Sequence, residues 1–438
     1  MIVLAVGLIA AAGAVVGWRW KTSGSHVVRG SPSVEFVTTA PSAPPRPKKQ
    51  VRAIPWPGYG YDLGRTRVAP PDFRQRPPFG VVWQMRTGNY IEFPPAIAYG
   101  RVYLDQERGR FFALDAATGH IVWQHAYPNC SAASPAVGDG IVYEPFLPRP
   151  CDYGPRNVPA FMAAFDARSG KNLWRFTMTG GSESSPLLIG HVLYFGSWDH
   201  HLYALDVRSR TRPRLLWRYQ TDGEIDSSPA YAGGAIYIGD NSGQIYAIDA
   251  HTGRLRWKAS SFSGFVSGRE YFYAAPAVAY GRVYVGNTDG TVYAFGASSG
   301  KLRWSQHVGS YVYAAAAIWN KTAYVGSYDG NMYALDAATG DVRWRYAAPS
   351  AIHGAPTILN GLIYFSTCGT CGHRGSRYAK QGARGTYALD ARTGKLVWSF
   401  PDGKYSPVVA DNKRVYLAGE TRLYALVPTR QTASQTTP

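Results

Sequence analysis

The chain has 438 residues, with 46 lysines and arginines against 28 acidic residues and a formal net charge of +18. Hydrophobic residues make up 45% of the chain and charged residues only 17%, so it can bury a large core and is not an intrinsically disordered protein. Four cysteines are too few for a small disulfide-framed fold, and the basic surplus points to anionic partners.

The first 18 residues contain no charged side chain and consist mostly of Ala, Val, Leu, Ile and Gly, and Arg19 and Lys21 follow them. We interpret residues 1–18 as an uncleaved signal anchor or short transmembrane helix. The positive charges after this segment favour a cytoplasmic C-terminal side, whereas cysteines that can form disulfides favour export. We expect a cell-membrane protein with one N-terminal anchor and the rest of the chain on the extracytoplasmic side.

Residues 19–79 form a basic, proline-rich segment. It holds 11 of the 30 prolines, and 11 Lys/Arg against 3 Asp/Glu. Such a composition predicts an extended or disordered linker. Trp56, Tyr59 and Tyr61 are aromatic exceptions near its end that can dock onto the following domain.

Between residues 80 and 428 one unit recurs eight times, and each copy is marked by a tryptophan. The spacing between these tryptophans runs from 40 to 54 residues, a period typical of solenoids and propellers. The tryptophans are Trp83, Trp123, Trp174, Trp217, Trp257, Trp304, Trp344 and Trp398.

The repeat at residues 275–306 shows what each unit contains. Segments 275–280, 282–286, 291–295 and 301–304 alternate apolar and polar residues or form short apolar runs, and glycine-rich turns separate them. We name these four predicted strands A to D. A four-stranded antiparallel meander cannot bury both faces alone, but several packed around an axis can, as propeller blades do.

The first and last copies are incomplete in complementary ways. The last, Leu-Tyr-Ala-Leu at 423–426, has no D strand after it, and the strand around Trp83 has no A to C strands before it. We predict that residues 80–86 supply strand D of the last blade, because ring closure removes exposed sheet edges. The predicted fold is therefore all-β, an eight-bladed propeller of four-stranded antiparallel blades over residues 80–428, with a disordered tail at 429–438.

The repeated pattern Tyr-Ala-Leu-Asp-x-x-Thr-Gly-x-x-x-Trp resembles the PQQ-like (quinoprotein-type) β-propeller repeat family. This resemblance implies an eight-bladed propeller and favours export. We interpret the repeated residues as scaffold, because an Asp before a Thr-Gly turn accepts backbone N–H bonds and an outer-strand Trp packs between blades. The aspartates are Asp115, Asp166, Asp206, Asp249, Asp336 and Asp390, whereas Gly296 and Val427 depart from the pattern.

A propeller blade presents its D–A and B–C loops on one face, here called the loop face, and its A–B and C–D turns on the other, the turn face. The long insertions, at residues 147–160, 259–273 and 366–385, all belong to the loop face. Insertions on one face of a repeat protein usually carry binding, so we expect any partner on the loop face.

All four cysteines fall in loop-face segments. Cys130 and Cys151 belong to one blade, and Cys368 and Cys371 form a Cys-x-x-Cys within another. His373 lies one residue late for c-type haem attachment, and zinc would lack a clear fourth ligand. We expect disulfides at these cysteines, and no metal site.

The repeats disagree three residues before each A-strand proline, at positions expected to ring the channel mouth on the loop face. A mixture of acids, tyrosines, a histidine and a lysine can bind a small ligand or cation, although solvated funnel residues would also fit. The ring comprises Glu92, Ala132, Glu183, Asp226, Tyr273, Tyr313, His353 and Lys404.

Two functions remain open from the sequence. The first is a non-catalytic, membrane-tethered binding or scaffold propeller that contacts an envelope protein or anionic polymer, without nucleic acid and without a cofactor. It resembles the outer-membrane assembly lipoproteins of this fold, although no cysteine for lipid attachment precedes Cys130. The alternative is a PQQ-dependent dehydrogenase acting on alcohols or sugars, which would need PQQ and calcium and a pair of adjacent cysteines that this chain lacks.

Overall fold

A computed structural model describes residues 27–38, 53–148, 160–261, 271–369, 371, 380–406 and 408–429. The predicted anchor at 1–18, almost all of the predicted tail at 429–438, and much of the three long insertions lie outside these ranges. Within them, no helix is long and apolar enough to cross a membrane.

The described residues form eight four-stranded antiparallel sheets, which confirms the predicted fold class. Strand β1 (Phe79–Arg86) lies in the last sheet, and the other seven sheets each follow chain order from the inner strand A to the outer strand D. Blade 1 comprises β2 (Ala96–Ala98), β3 (Arg101–Gln106), β4 (Arg110–Asp115) and β5 (Ile121–Ala126), and blade 2 comprises β6 (Ala136–Gly138), β7 (Ile141–Phe146), β8 (Ala160–Asp166) and β9 (Asn172–Met178). Blade 3 comprises β10 (Leu187–Ile189), β11 (Val192–Gly196), β12 (His201–Asp206) and β13 (Arg214–Gln220), and blade 4 comprises β14 (Ala230–Ala232), β15 (Ala235–Gly239), β16 (Gln244–Asp249) and β17 (Leu255–Ser260).

The second half of the ring repeats the same arrangement. Blade 5 comprises β18 (Ala277–Ala279), β19 (Arg282–Gly286), β20 (Thr291–Gly296) and β21 (Leu302–His307), and blade 6 comprises β22 (Ala317–Trp319), β23 (Thr322–Gly326), β24 (Asn331–Asp336) and β25 (Val342–Ala347). Blade 7 comprises β26 (Thr357–Leu359), β27 (Leu362–Thr367), β28 (Gly385–Asp390) and β29 (Leu396–Phe400). Blade 8 comprises β30 (Val408–Ala410), β31 (Val415–Ala418) and β32 (Arg422–Pro428), with β1 as its outer strand.

The ring closes as the incomplete first and last repeats predicted. Strand β1 pairs antiparallel with β32, with Phe79 opposite Pro428 and Arg86 opposite Arg422. The pairing gives blade 8 its fourth strand, so neither terminus of the propeller leaves an unpaired inner edge at the seam. Trp83, on this strand, then occupies the same place as the tryptophans of the other blades.

The repeated motif is the joint between neighbouring blades. The aspartate caps its own C–D turn: Asp115 Oδ1 accepts bonds from the backbone N–H groups of Ala117 at 3.0 Å and Thr118 at 2.9 Å. In six joints among the described residues, the residue after the aspartate position offers its carbonyl to the indole N–H of the tryptophan in the preceding blade. These bonds join Trp83 to Ala116, Trp123 to Ala167, Trp217 to Ala250, Trp257 to Ala297, Trp304 to Ala337 and Trp344 to Ala391, at 2.9–3.2 Å.

The glycine of each Thr-Gly turn lets the tryptophan approach. Gly340 has a left-handed φ of 81°, and a Cβ there would lie 2.8 Å from the Trp304 ring, so only glycine fits both the turn and the indole. In blade 3 this joint is missing. The C–D turn of blade 3 has Arg208 and Ser209 in place of the usual turn sequence, and within the described residues the Trp174 indole N–H facing it has no hydrogen-bond partner.

Parts of the segment predicted to be an extended linker are docked on the propeller. Residues 27–38, here the edge segment, lie along blades 5 and 6: Val28 bridges Ser305 on the outer strand β21, and Gly30 N–H bonds the Thr339 carbonyl at 3.0 Å. The Glu35 carboxylate accepts bonds from Ser298 and Arg303 in the C–D turn of blade 5. These bonds, together with apolar contacts, offset the conformational entropy that the segment loses when it becomes ordered on the propeller.

Residues 53–73, here the plug, cross the channel. Trp56 is only 2% exposed and exchanges two backbone hydrogen bonds with Ile97. The plug bonds the inner strands of six blades in turn, and each bonded residue lies five positions beyond the ring residue of its blade, as Ile97 follows Glu92. The bonded residues are Ile97, Val137, Tyr231, Val278, Ile318 and Ile358. Since strand A runs from the loop face to the turn face, the plug closes the channel below the ring.

Candidate functional site

The closed channel leaves a blind pocket that opens on the loop face. It encloses about 490 Å³, a volume that includes the open solvent at its mouth. The residues that line it come from the ring positions, from the start of the A strands and from the plug. They are Tyr59, Arg67, Glu92, Phe93, Pro94, Asp226, Ser228, Tyr273, Ala275, Tyr313, His353, Gly354, Ala355, Tyr405 and Ser406.

Five of the eight predicted ring residues line this pocket together: Glu92, Asp226, Tyr273, Tyr313 and His353. Glu183 joins them indirectly, because its Oε2 accepts a 2.9 Å bond from the Tyr273 hydroxyl. The remaining two residues of the predicted ring, Ala132 and Lys404, are not among the residues that line the pocket.

Ala132 is buried in an apolar cluster with Cys130, Leu147 and Trp198. The Lys404 Nζ lies 3.2 Å from Glu420 Oε1 and 3.5 Å from the centre of the Tyr90 ring. These partners hold the ammonium group beside the pocket mouth.

Aromatic rings form one wall of the pocket. Tyr313 and His353 stack with 14° between their planes, and Tyr405 meets the His353 ring edge-on at 5.0 Å. The Tyr328 hydroxyl lies 2.5 Å from His353 Nδ1. Burial, with the charge of Lys404, lowers the pKa of His353 to about 4, so the imidazole is neutral at physiological pH and acts as an apolar wall with a hydrogen-bonding edge.

Carboxyl groups occupy the opposite wall. Burial, together with the nearby carboxyls of Glu107 and Asp105, raises the pKa of Glu92 to about 7. Within the described residues no hydrogen bond or ion pair reaches the Glu92 carboxyl, whose backbone carbonyl is bonded by Ser406 Oγ at 2.6 Å. Asp226 differs, because it accepts bonds from the Trp198 indole and, at 2.7 Å, from Asn241 Nδ2. Glu92 is therefore ready to receive a donor from a ligand.

Behind Glu92, two carboxyls are buried between blades 1 and 2. Asp105 is 2% exposed and Glu144 fully buried, and Ser131 Oγ donates to Glu144 at 2.5 Å. Burial raises the pKa of Asp105 to about 7 and that of Glu144 well above its usual range. The sequence carried a signal for both, because each acid interrupts an otherwise apolar B strand.

The plug supplies the floor of the pocket, which the ring prediction did not include. Tyr59 and Arg67 line the cavity, and the Arg67 guanidinium carbon lies 3.9 Å from the centre of the Tyr59 ring. The aromatic residues of the plug were the one signal in the sequence, since Trp56, Tyr59 and Tyr61 interrupt a basic, proline-rich segment.

The cysteines lie beside the site. Cys368 and Cys371 form a disulfide with Cα atoms 5.5 Å apart, packed against Tyr313 and Tyr405. Cys130 is also disulfide-bonded, while Cys151, the other cysteine of its blade, lies outside the described residues. The Cys-x-x-Cys pair thus stabilises the loop that backs the aromatic wall.

Comparison with solved structures shows the same fold. BamB from Moraxella catarrhalis superposes with a TM-score of 0.62 at 16% identity, covering 80% of this chain and 99% of that one. Quinohemoprotein alcohol dehydrogenase ADHIIG from Pseudomonas putida HK5 gives a TM-score of 0.65 at 12% identity, covering 86% and 80% of the two chains. At such identities the likeness establishes the fold and nothing further.

Sequence comparison is more restricted in length. Quinohemoprotein alcohol dehydrogenase from Comamonas testosteroni is 33% identical over 95 residues, which are 21% of this chain and only 13% of that enzyme. The family described as "Outer membrane protein assembly factor BamB" matches residues 80–146, 158–260, 210–315 and 308–430. These matches cover nearly all of the propeller, and the chain therefore belongs to this PQQ-like, BamB-type β-propeller family.

Proposed function

We propose that this chain is a non-catalytic, membrane-tethered binding propeller of the extracytoplasmic space, and that its loop face contacts an envelope protein. The observation that carries the proposal is the docking of both N-terminal segments away from that face. The edge segment bonds the C–D turns of blades 5 and 6, and the plug crosses the channel beyond the ring. A tether at residues 1–18 would therefore hold the turn face toward the membrane and leave the loop face directed outward.

Geometry limits how far the propeller would stand from the bilayer. Eight residues, 19–26, separate the apolar segment from Val27, where the edge segment begins. Fully extended, they span at most about 27 Å. The short connection supports a fixed orientation over free rotation on a long linker, with the turn face toward the lipid headgroups and the loop face toward proteins.

Site-specific photo-crosslinking in intact cells tests this orientation. Tyr90 lies in the loop-face segment before blade 1 and is 39% exposed, so an aromatic photo-crosslinking residue there replaces one ring with another. We expect a protease-sensitive adduct with an envelope protein, identified by mass spectrometry. His251, exposed in the C–D turn of blade 4, is the matched position on the turn face and should give no such adduct.

Equal capture at both positions, or adducts at neither, would contradict the proposal. An adduct at position 90 that survives protease but is released by enzymes that degrade wall polymers would replace the protein partner with an anionic polymer.

The alternative is a PQQ-dependent dehydrogenase. The sequence match to the Comamonas testosteroni alcohol dehydrogenase and the superposition on ADHIIG favour it, but the pocket does not fit the quinone. The carboxyl side chains of Glu92 and Asp226 line the pocket and Glu183 bonds the lining Tyr273, so a tricarboxylate would meet like charge there. Among the described residues no group of three or more His, Cys, Asp or Glu is arranged to hold a metal ion such as the calcium these enzymes use.

We accordingly expect no dye reduction when PQQ and Ca²⁺ are added with a panel of alcohols and sugars. The matched control is an authentic PQQ dehydrogenase reconstituted in the same buffer. Saturable, PQQ-dependent reduction by this chain would overturn the binding role in favour of catalysis.

A further inference from the structure

We propose that the blind pocket binds a small molecule with a single carboxylate, which the Arg67 guanidinium receives at the floor, and with an ammonium or hydroxyl donor at its other end. This site is separate from the loop-face contact with an envelope protein, and either can fail without the other.

The first step of the argument is the state of Arg67. Arg67 is only 2% exposed, yet within the described part of the chain its Nε and one terminal nitrogen, Nη2, have no hydrogen-bond partner. Two buried guanidinium nitrogens without hydrogen bonds are costly, because they have lost their water and gained no acceptor in return. It lines the cavity beside the Tyr59 ring, so an anion that enters the pocket can reach it.

Arg65, two residues earlier, shows what a purely structural arginine does in the same plug. Its guanidinium donates to the carbonyls of Pro229 at 2.9 Å and of Ser185 and Pro186 at 3.1 Å, and to that of Tyr59. Arg65 thereby joins the plug to blades 3 and 4. Since the plug anchors one arginine through backbone carbonyls and leaves the other without them, the two side chains have different roles.

The charge of the plug points the same way. It buries the guanidinium groups of Arg65 and Arg67, while the half-buried Asp62 accepts bonds from the Thr66 N–H at 2.9 Å and the Thr66 hydroxyl. Of the two plug residues that line the pocket, Tyr59 and Arg67, Arg67 carries a positive charge, so the floor is positively charged. A bound carboxylate would supply the missing negative charge and two acceptor oxygens, the geometry that a guanidinium matches best.

The walls select the rest of the ligand. The carboxyls of Glu92 and Asp226 line the same cavity as Arg67, and they would repel a phosphate or a second carboxylate while accepting a hydrogen bond from an ammonium or hydroxyl group. Ala275, Gly354 and Ala355 also line the cavity, and their small side chains leave room for a compact ligand. The pocket therefore favours compact monoanions such as amino acids or hydroxy acids over sugars or nucleotides.

Backbone strain in the plug fits this role. Tyr61, Arg65 and Arg67 all have positive φ values, 69°, 57° and 62°, a backbone conformation that is unfavourable for residues other than glycine. For Arg67 the conformation is fixed by two backbone bonds, from its N–H to Gly60 and from Ile358 to its carbonyl. The chain accepts this strain at the position that sets the guanidinium under the channel.

Isothermal titration calorimetry on the purified full chain tests the proposal with formate, acetate, glycine, L-alanine, D-alanine, lactate and inorganic phosphate. We expect saturable binding of the monocarboxylates at millimolar concentrations or below, tighter binding of the amino acids than of acetate, and no binding of phosphate. Arg67→Met should weaken carboxylate binding about 10-fold or more, since it removes a charge-assisted hydrogen bond. Glu92→Gln should remove the advantage of glycine over acetate and leave acetate unchanged.

Arg110→Gln, an exposed arginine on β4, is the matched control and should bind like the wild type. Because Arg67→Met can loosen the plug, Arg67→Lys is measured beside it; it keeps the charge and should retain part of the affinity, with circular dichroism and the melting temperature reporting on folding. Unchanged binding by a folded Arg67→Met, binding of phosphate alone, or no binding of any carboxylate would each overturn the proposal.

Discussion

Replacing Trp304 with alanine should lower the free energy of unfolding by about 3–5 kcal/mol, the range for a large aromatic side chain removed from a core. Trp304 is fully buried, and its indole N–H donates to the Ala337 carbonyl of the next blade at 3.0 Å. The mutation leaves a cavity between blades 5 and 6. Guanidinium denaturation followed by circular dichroism measures the loss.

Trp344→Ala is the matched control. Trp344 makes the same bond, to Ala391 at 3.2 Å, and packs on a glycine in the same way, Gly394. It is only half-buried, however, whereas Trp304 packs against Gly30 of the edge segment. Its loss should cost at least about 1 kcal/mol less, in proportion to the smaller buried area. Equal costs for the two variants would mean that the edge segment adds nothing to blade packing.

Asp105→Asn should stabilise the protein above pH 7 and have little effect below pH 4. The folded state holds the pKa of Asp105 at about 7, against 3.8 for an unperturbed aspartate, because burial penalises the charged form. Between these two values the folded state binds a proton that the unfolded state has lost. The contribution of this one group to the free energy of unfolding is therefore fully present below pH 4. It is lost as the pH rises from 4 through 7, by up to about 4 kcal/mol.

Thermal unfolding from pH 4 to pH 8 tests this prediction. The difference between Asp105→Asn and the wild type should grow from near zero at pH 4 to its full value above pH 7, because asparagine has no charge to bury. Asp72→Asn, at an exposed position in the plug, should change stability by the same small amount at every pH. A difference between Asp105→Asn and the wild type that does not change with pH would show that burial does not raise the pKa of the Asp105 carboxyl.

The pocket was partly predictable, for a reason that the repeats make clear. Equivalent positions of a repeat lie at equivalent places on the ring, so an aligned position at which the side chains differ in charge and polarity predicts a site. Glu92, Asp226 and His353, which share one such position, line one cavity. Lys404 was predicted by the same alignment, but its ammonium pairs with Glu420 and Tyr90 beside the mouth. Alignment gives the place of a Cα atom, whereas long side chains choose among neighbours that the alignment does not show.

The sequence by itself determined the propeller. Strands of alternating residues recur in eight copies, and the Asp-x-x-Thr-Gly turn and the Trp that packs on the next blade are local signals that mark most of them. Closure by β1 follows from counting these copies. Only the tertiary structure decided what closes the channel. The plug has the composition of a disordered linker, and it becomes ordered because six inner strands offer unpaired backbone groups that no local pattern records. Arg67 thus reaches the pocket floor through contacts distant in sequence.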